Sequence, residues 1–94
     1  MNIKDKHREG AVSAYSFFNG EEGKATAIQI PSGEHLKSHV TKTEALLVCL
    51  NGHARFENEN NYSQDLKSGD FVIIEPLISH SVKGIESSNL ILLK

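Results

Sequence analysis

The chain has 94 residues, with ten Lys and Arg against twelve Asp and Glu. A chain of this length has room for one hydrophobic core, so we expect a single domain. The slight acidic excess gives no basic surplus to attract phosphate backbones, which argues against nucleic-acid binding. The longest apolar run, Ala45 to Leu50, is far too short to span a bilayer, so we predict no membrane association.

The first ten residues are polar and end in Glu9-Gly10. We interpret residues 1–10 as a loose or docking arm and residues 11–94 as the folded domain. The arm lacks the apolar segment of a secretory signal. The single Cys49 lies inside an apolar run, where a buried, reduced thiol is expected. These features predict a cytoplasmic protein.

Short β-like runs separated by turn residues follow the arm. They are Ala11–Phe18, Lys24–Ile30, Ala45–Leu50, His53–Glu57, Phe71–Ile74, Ser79–Val82 and Leu90–Leu93. Asn51-Gly52 is the strongest signal for a tight hairpin turn. Apart from a weak ambiguity over residues 37–44, no stretch has a sustained apolar stripe at helical spacing. The pattern predicts an all-β sandwich or barrel.

Two segments, each containing turn residues and an apolar run, carry a histidine near a turn. The first contains Gly33, Lys37-Ser38-His39, Glu44 and Gly52, and the second runs from Gly69-Asp70 through Pro76 to His80. Together they resemble the two signatures of the cupin superfamily. The resemblance covers about residues 24–93 and implies a jelly-roll barrel, or double-stranded β-helix.

Three positions depart from the family pattern. Lys37 occupies the place of the first histidine of the family's His-x-His pair. Gly52 follows Glu44 by one residue more than usual, so Ala45 could be the aligned residue. Pro76 comes one place late, and Leu77 stands where a glycine is common.

The resemblance implies a candidate metal site formed by His39, Glu44 and His80. Imidazole and carboxylate ligands of this kind suit Fe, Mn, Zn, Ni or Cu. If residues 40–43 form a four-residue hairpin loop, the Cβ atoms of His39 and Glu44 lie about 5 Å apart across the ladder. The alternative is that both histidines are satisfied by hydrogen bonds in a half-polar barrel, and that Glu44 is solvated.

A ligand pocket is expected between the two segments. We predict that it is mostly apolar, and we assign its lining to Leu46, Val48, Phe56, Val72 and Ile74. Lys37 is either solvated or an anchor for an anionic ligand at the barrel mouth. The run Ala11–Phe18 is too apolar for an exposed edge strand, so we expect it to pair with a second chain, giving a homodimer, or to cover the sheet edge.

The leading hypothesis is a small barrel that binds a small molecule, either directly or through a divalent metal held by His39, Glu44 and His80. Two alternatives stay open, since a fold of this kind hosts unrelated activities. One is a metal-dependent enzyme, dioxygenase-like or isomerase-like. The other is a metal-free structural or regulatory dimer module. The residues alone do not decide whether the protein is an enzyme.

Overall fold

The structure is a computed structural model that describes the backbone of residues 1–94 and every side chain except that of His39. A short 3₁₀ helix, Ile3–Lys6, precedes seven β-strands. The strands are β1 Ser13–Asn19, β2 Lys24–Ile30, β3 His35–His39, β4 Ala45–Asn58, β5 Ser63–Lys67, β6 Phe71–Ile74 and β7 His80–Leu93. The fold is all-β, as the sequence predicted. Among the described residues, no helix is long and apolar enough to cross a membrane.

Two long strands, β4 and β7, hold the fold together, because each takes part in two layers. The first half of β4 pairs with β6 and with the second half of β7, which in turn pairs with β2, and β2 pairs with β1. The second half of β4 pairs with β5 and with the first half of β7, which pairs with β3. The first layer therefore runs β1-β2-β7-β4-β6 and the second β3-β7-β4-β5.

The two layers pack face to face over one core. A single hydrophobic cluster joins Leu47 and Leu90 of the first layer to Phe56, Leu66 and Val82 of the second. Aligned packing of two antiparallel sheets over alternating inward side chains is the usual construction of a jelly roll.

The expected hairpin at Asn51-Gly52 is not a chain reversal. Strand β4 continues through it, with register shifts against β7 between Cys49 and His53. Gly52 has a φ of +88°, and a Cβ there would lie 2.2 Å from the carbonyl oxygen of Ser87. The glycine thus makes the corner at which β4 passes from one layer to the other, where it crosses close to β7.

The N-terminal arm is docked on the first layer. The side-chain amide of Gln29 on β2 donates to the carbonyl oxygens of Arg8 (2.7 Å) and Ala11 (2.9 Å). Nζ of Lys6 lies 5.5 Å from the centroid of the Tyr15 ring on β1. The arm therefore covers the β1–β2 end of this layer.

Candidate functional site

His80 marks the centre of the candidate site. It begins β7, is only 3 % exposed, and lies in register opposite both Asn58 of β4 and His39 of β3. Its Nδ1 is 3.2 Å from the carbonyl oxygen of Ile78. Because a carbonyl only accepts hydrogen bonds, Nδ1 is the donor in this contact.

Aromatic contacts fix the His80 ring further. It stacks on Phe56, with centroids 5.6 Å apart and an interplanar angle of 27°. Phe56 in turn meets Tyr62 edge to face at 6.3 Å. Stacks of this kind orient buried rings, so His80 is held by a backbone bond on one edge and by an aromatic face.

A cavity of about 290 Å³ opens beside His80, and we call it the His80 cavity. It lies where the edge strands β5 and β6 of the two layers approach each other. Its apolar lining residues are Phe56, Val72, Ile73, Ile74 and Ile78, and its polar ones are Asn58, Asn60, Tyr62, Gln64, Glu75 and His80. Its size is at the lower end of the range for small-molecule pockets.

The polar wall of the cavity is ordered by its own hydrogen bonds. Oδ1 of Asn58 accepts from the backbone N–H groups of Asn60 (2.9 Å) and Tyr62 (3.2 Å), which shapes the turn between β4 and β5. The Tyr62 hydroxyl donates to Oε1 of Gln64, and Nε2 of Gln64 donates to the carbonyl oxygen of Phe71 at 3.1 Å. This last bond ties β5 to β6 across the mouth, so the wall is pre-organised.

His80 also lines a smaller cavity of about 160 Å³. Ser38, Glu57, Glu59 and Ser79 are among the residues that line it. Glu59 fixes the rim, because its Oε1 accepts from the Ser79 N–H (2.9 Å) and its own N–H donates to the Ser79 carbonyl (2.9 Å). His80 therefore lines two cavities.

The charges around His80 are negative. Among the described residues that line the two cavities, none is Lys or Arg, whereas Glu75, Glu57 and Glu59 are carboxylates. An anion entering here meets carboxylates of like charge, and no Lys or Arg among the described lining residues. Lys37, considered from the sequence as an anchor for an anion, is exposed and lines neither cavity.

The sequence-predicted pocket residues fall into two groups. Phe56, Val72 and Ile74 line the His80 cavity. Leu46 and Val48 do not, and this corrects the expectation from the sequence. In β4 the core side is occupied by Ala45, Leu47 and Cys49, so the residues between them point outward.

Two of the three proposed metal ligands lie on adjacent paired strands, and the third lies elsewhere. His39 and His80 are direct register partners on adjacent strands. Glu44 is exposed and lies beside an outer groove with Leu46 and Leu93, and it does not line the His80 cavity. The hairpin that would have set it opposite His39 does not form, because β3 pairs with β7.

Of the metal set that the resemblance implied, Glu44 is the member that the described residues place away from His80. The first inward position of β4 is Ala45, 3 % exposed, so the aligned residue of the signature carries no carboxylate. Among the described side chains, no three of His, Cys, Asp or Glu are grouped so as to hold a metal.

Sequence reasoning missed most of the polar wall. From the sequence, no role was given to Asn58, Asn60, Tyr62 or Gln64. One signal was available, since Phe56 and Asn58 are two residues apart on one strand and so point to the same side. The nearness of β5 to β6 has no local signal in the sequence.

No family model matches the sequence, and no curated protein matches it. Solved structures do. A cupin superfamily protein from Desulfitobacterium hafniense is similar over 94 % of this chain and 80 % of its own, at 16 % identity and a TM-score of 0.83. An RmlC-like cupin family protein with a double-stranded β-helix fold from Methanocaldococcus jannaschii is similar over 94 % and 84 %, at 18 % identity and a TM-score of 0.79.

An enzyme is also among the similar structures. The DMSP lyase DddQ from Ruegeria pomeroyi is similar over 87 % of this chain and 45 % of its own, at 19 % identity and a TM-score of 0.81. Identities this low carry the fold and not the activity. With its two layers joined through β4 and β7, this chain has the cupin fold, a double-stranded β-helix.

Proposed function

We propose that this protein binds a neutral or positively charged small molecule in the His80 cavity. The observation that carries the proposal is a buried, oriented imidazole at the base of a pocket with an ordered polar wall. Apolar floors with a few fixed polar groups are typical of small-molecule sites. The carboxylates and the lack of lining cations among the described residues support the charge preference.

Thermal melting with three small probes tests the charge preference. We expect choline and glycerol to raise the melting temperature and acetate to leave it unchanged, because bound ligand stabilises only the folded state. Replacing the carboxylate by Glu75→Gln should weaken the choline effect and leave the glycerol effect. A rise with acetate alone would contradict the proposal.

Variants of the polar wall test the location. Asn60→Ala and Tyr62→Phe each remove one polar group that lines the cavity, so both should reduce the probe-induced shift. Asn19→Ala is the matched control, because Asn19 is an exposed amide on β1 that lines neither cavity. Equal shifts in all three variants would place binding elsewhere.

A metal-dependent enzyme is the second candidate, and the register pairing of His39 with His80 favours it. We derive no metal-dependent step, since no three His, Cys, Asp or Glu side chains are grouped among those that the structure describes. Metal analysis of protein purified without a nickel column decides between the candidates. Stoichiometric Fe, Mn, Zn, Ni or Cu that is lost in His39→Ala and in His80→Ala would establish a metal site and support the enzyme candidate.

Removal of divalent ions gives the complementary result. If the protein works without a metal, EDTA should change neither its melting temperature nor the probe-induced shifts. If neither metal nor probe binds, the metal-free structural or regulatory module is the remaining reading. We also propose a cytoplasmic location, supported by the single, buried, unpaired Cys49; cell fractionation tests it.

A further inference from the structure

The N-terminal arm, residues 1–10, is held on the first layer by polar contacts rather than by buried apolar side chains. None of the residues of its 3₁₀ helix, Ile3–Lys6, is buried. Ile3 lines a cavity of about 380 Å³ together with Tyr15 and Phe17 of β1, so the arm leaves open space against this strand. An element that is docked by a few polar contacts lies at the low-stability end of a structure, where one added charge can reverse the docking.

His7 carries a polar atom that the docked arm leaves without a partner. Its Nδ1 is hydrogen-bonded to Oγ of Ser13, the first residue of β1. Its Nε2 is buried and has no hydrogen-bond partner among the described residues. The His7 ring is therefore the arm side chain whose environment is most sensitive to protonation.

Protonation makes this environment unfavourable. In the neutral ring one nitrogen carries a hydrogen, and the Ser13 hydroxyl can donate to Nδ1 or accept from it, so the bond forms with either tautomer. In the imidazolium both nitrogens carry hydrogens, so Nε2 becomes a buried, charged donor without an acceptor. Burial accordingly lowers the pKa of His7.

The strands beneath the arm offer no negative charge to an imidazolium at this place. The only titratable residue of β1 is Tyr15. The only one of β2 is Lys24, at the opposite end of that strand from Gln29. Gln29 is the register partner of Ser13, and Asn89 of β7 is the register partner of Gln29, so this row of the sheet is neutral.

The arm itself does not compensate the charge either. Its ionisable neighbours of His7 are Lys4, Asp5, Lys6, Arg8 and Glu9. Three of these five are cations, which disfavour a further positive charge nearby. None of the described carboxylates forms an ion pair with His7.

A second anchor of the arm lies next to His7 in the chain. The side-chain amide of Gln29 donates to the carbonyl oxygens of Arg8 (2.7 Å) and Ala11 (2.9 Å). Because His7 and Arg8 are consecutive, and Ser13 and Gln29 are register partners, both anchors join the same two places in the chain. Displacement of the His7 ring from Ser13 therefore also loosens the bond from Gln29 to Arg8.

We propose that His7 makes the docking of the arm a pH-sensitive latch, in which the neutral ring holds residues 1–10 on β1 and β2 and protonation releases them from Tyr15 and Phe17. The released ring is solvated and accepts a proton more readily than the docked ring. Docking is therefore at full strength above about pH 6.5, the ordinary value for histidine, and weakens as the pH falls below it. Since one proton is involved, the docking constant falls by at most about tenfold per pH unit, until the lowered pKa of the docked ring is passed.

Heteronuclear NOE measurements on the backbone amides of residues 4–9 test the latch. In the wild type we expect high values at pH 7.5 and a fall by pH 5.5, while the amides of β4 and β7 keep high values because the core stays folded. The side chain in His7→Gln cannot be protonated, so its arm should stay docked at both pH values. His35→Gln is the matched control, because His35 is an exposed histidine on β3, and it should behave as the wild type. A wild-type arm that stays docked at pH 5.5, or equal release in His7→Gln, would overturn the proposal.

Titration of the His7 ring in the wild type gives a test that needs no variant, and it decides the matter if the His7→Gln arm is loose at both pH values. The carbon-bound ring protons should titrate with a midpoint below that of the same ring in the urea-unfolded protein, and the arm NOE values should fall over the same pH range. A midpoint at or above the unfolded value, or arm NOE values that do not follow the ring, would refute the latch.

Removal of the second anchor tests the coupling between the two. Gln29→Ala should loosen the arm already at pH 7.5 and should bring the His7 midpoint close to its value in the unfolded protein, because the ring of a released arm is solvated. A loose arm with an unchanged, low His7 midpoint would contradict the assignment of the titration to docking.

Discussion

The Gly52→Ala substitution adds a methyl group that overlaps sterically with the backbone of the neighbouring strand β7. The new Cβ would lie 2.2 Å from the carbonyl oxygen of Ser87 and 2.8 Å from Cα of Ser88. Neither is the flexible end of a side chain, so the corner of β4 has to move. That corner also carries a hydrogen bond from the His53 N–H to Oγ of Ser88, at 3.0 Å.

Gly33 is the matched control for this substitution. Its φ of +83° is close to the +88° of Gly52, but a Cβ there meets nothing within 4 Å. Gly33→Ala therefore measures only the cost of a left-handed backbone at alanine, which lowers the free energy of unfolding by about 1–2 kcal/mol. Restriction of the unfolded chain offsets about 0.4–1 kcal/mol of that loss. Gly52→Ala adds the overlap, about 1–3 kcal/mol or more, and should cost about 3 kcal/mol in total.

Urea denaturation measures both effects. A domain of this size has a free energy of unfolding on the order of 5–14 kcal/mol, so the loss at Gly52 is a large share of it. The chain has no Trp, so far-UV circular dichroism is the suitable signal. The midpoint should fall by roughly 2 M for Gly52→Ala and by well under 1 M for Gly33→Ala. Equal midpoints would refute the close approach of β4 and β7 at this corner.

Three further outcomes are expected. Leu77→Gly should raise the free energy of unfolding by about 0.5–1 kcal/mol in urea melts, because Leu77 has a left-handed φ of +64° and is 69 % exposed. Asn61→Gly is the control and should leave the free energy of unfolding unchanged, since Asn tolerates the left-handed φ of 62° found there. The hydrogen bond from Arg55 lowers the pKa of Asp65, so the ionised Asp65 stabilises the folded state. Asp65→Asn should therefore lower the free energy of unfolding by a constant amount above about pH 4, and the loss relative to wild type should shrink as the pH falls through the lowered pKa. A loss that grows with acidity would contradict this. Burial raises the pKa of the Cys49 thiol, so maleimide should label it only as the protein unfolds, and rapid labelling of the native protein would show that the core is open.

Some strands could be read from local pattern. Lys24–Ile30 and Phe71–Ile74 match β2 and β6 residue for residue, because a side chain that alternates between core and solvent leaves a period of two in the sequence. Strand β5, Ser63–Lys67, was missed, since Leu66 is its only buried residue. An edge strand held mainly by backbone pairing carries little apolar signal.

Which side of a strand faces the core depends on the tertiary structure. Between Ala45 and Leu50 both alternating sets are apolar, so nothing local distinguishes Leu47 from Leu46. The structure puts Ala45 and Leu47 in the core and leaves Leu46 half-buried outside. The second layer decides this by covering one side, and it also decides that Glu44 stays away from His80.

The candidate site also combines features set by the local sequence with features set only by the tertiary structure. The sequence by itself determined that β-strands form, that Gly69 lies in a turn between two of them, and that His80 follows an apolar strand and a turn, because propensity and period act over a few residues. The tertiary structure alone decided that β5 meets β6 and that Tyr62 and Gln64 wall a cavity. These depend on contacts between segments far apart in the chain, whose energies no local pattern records.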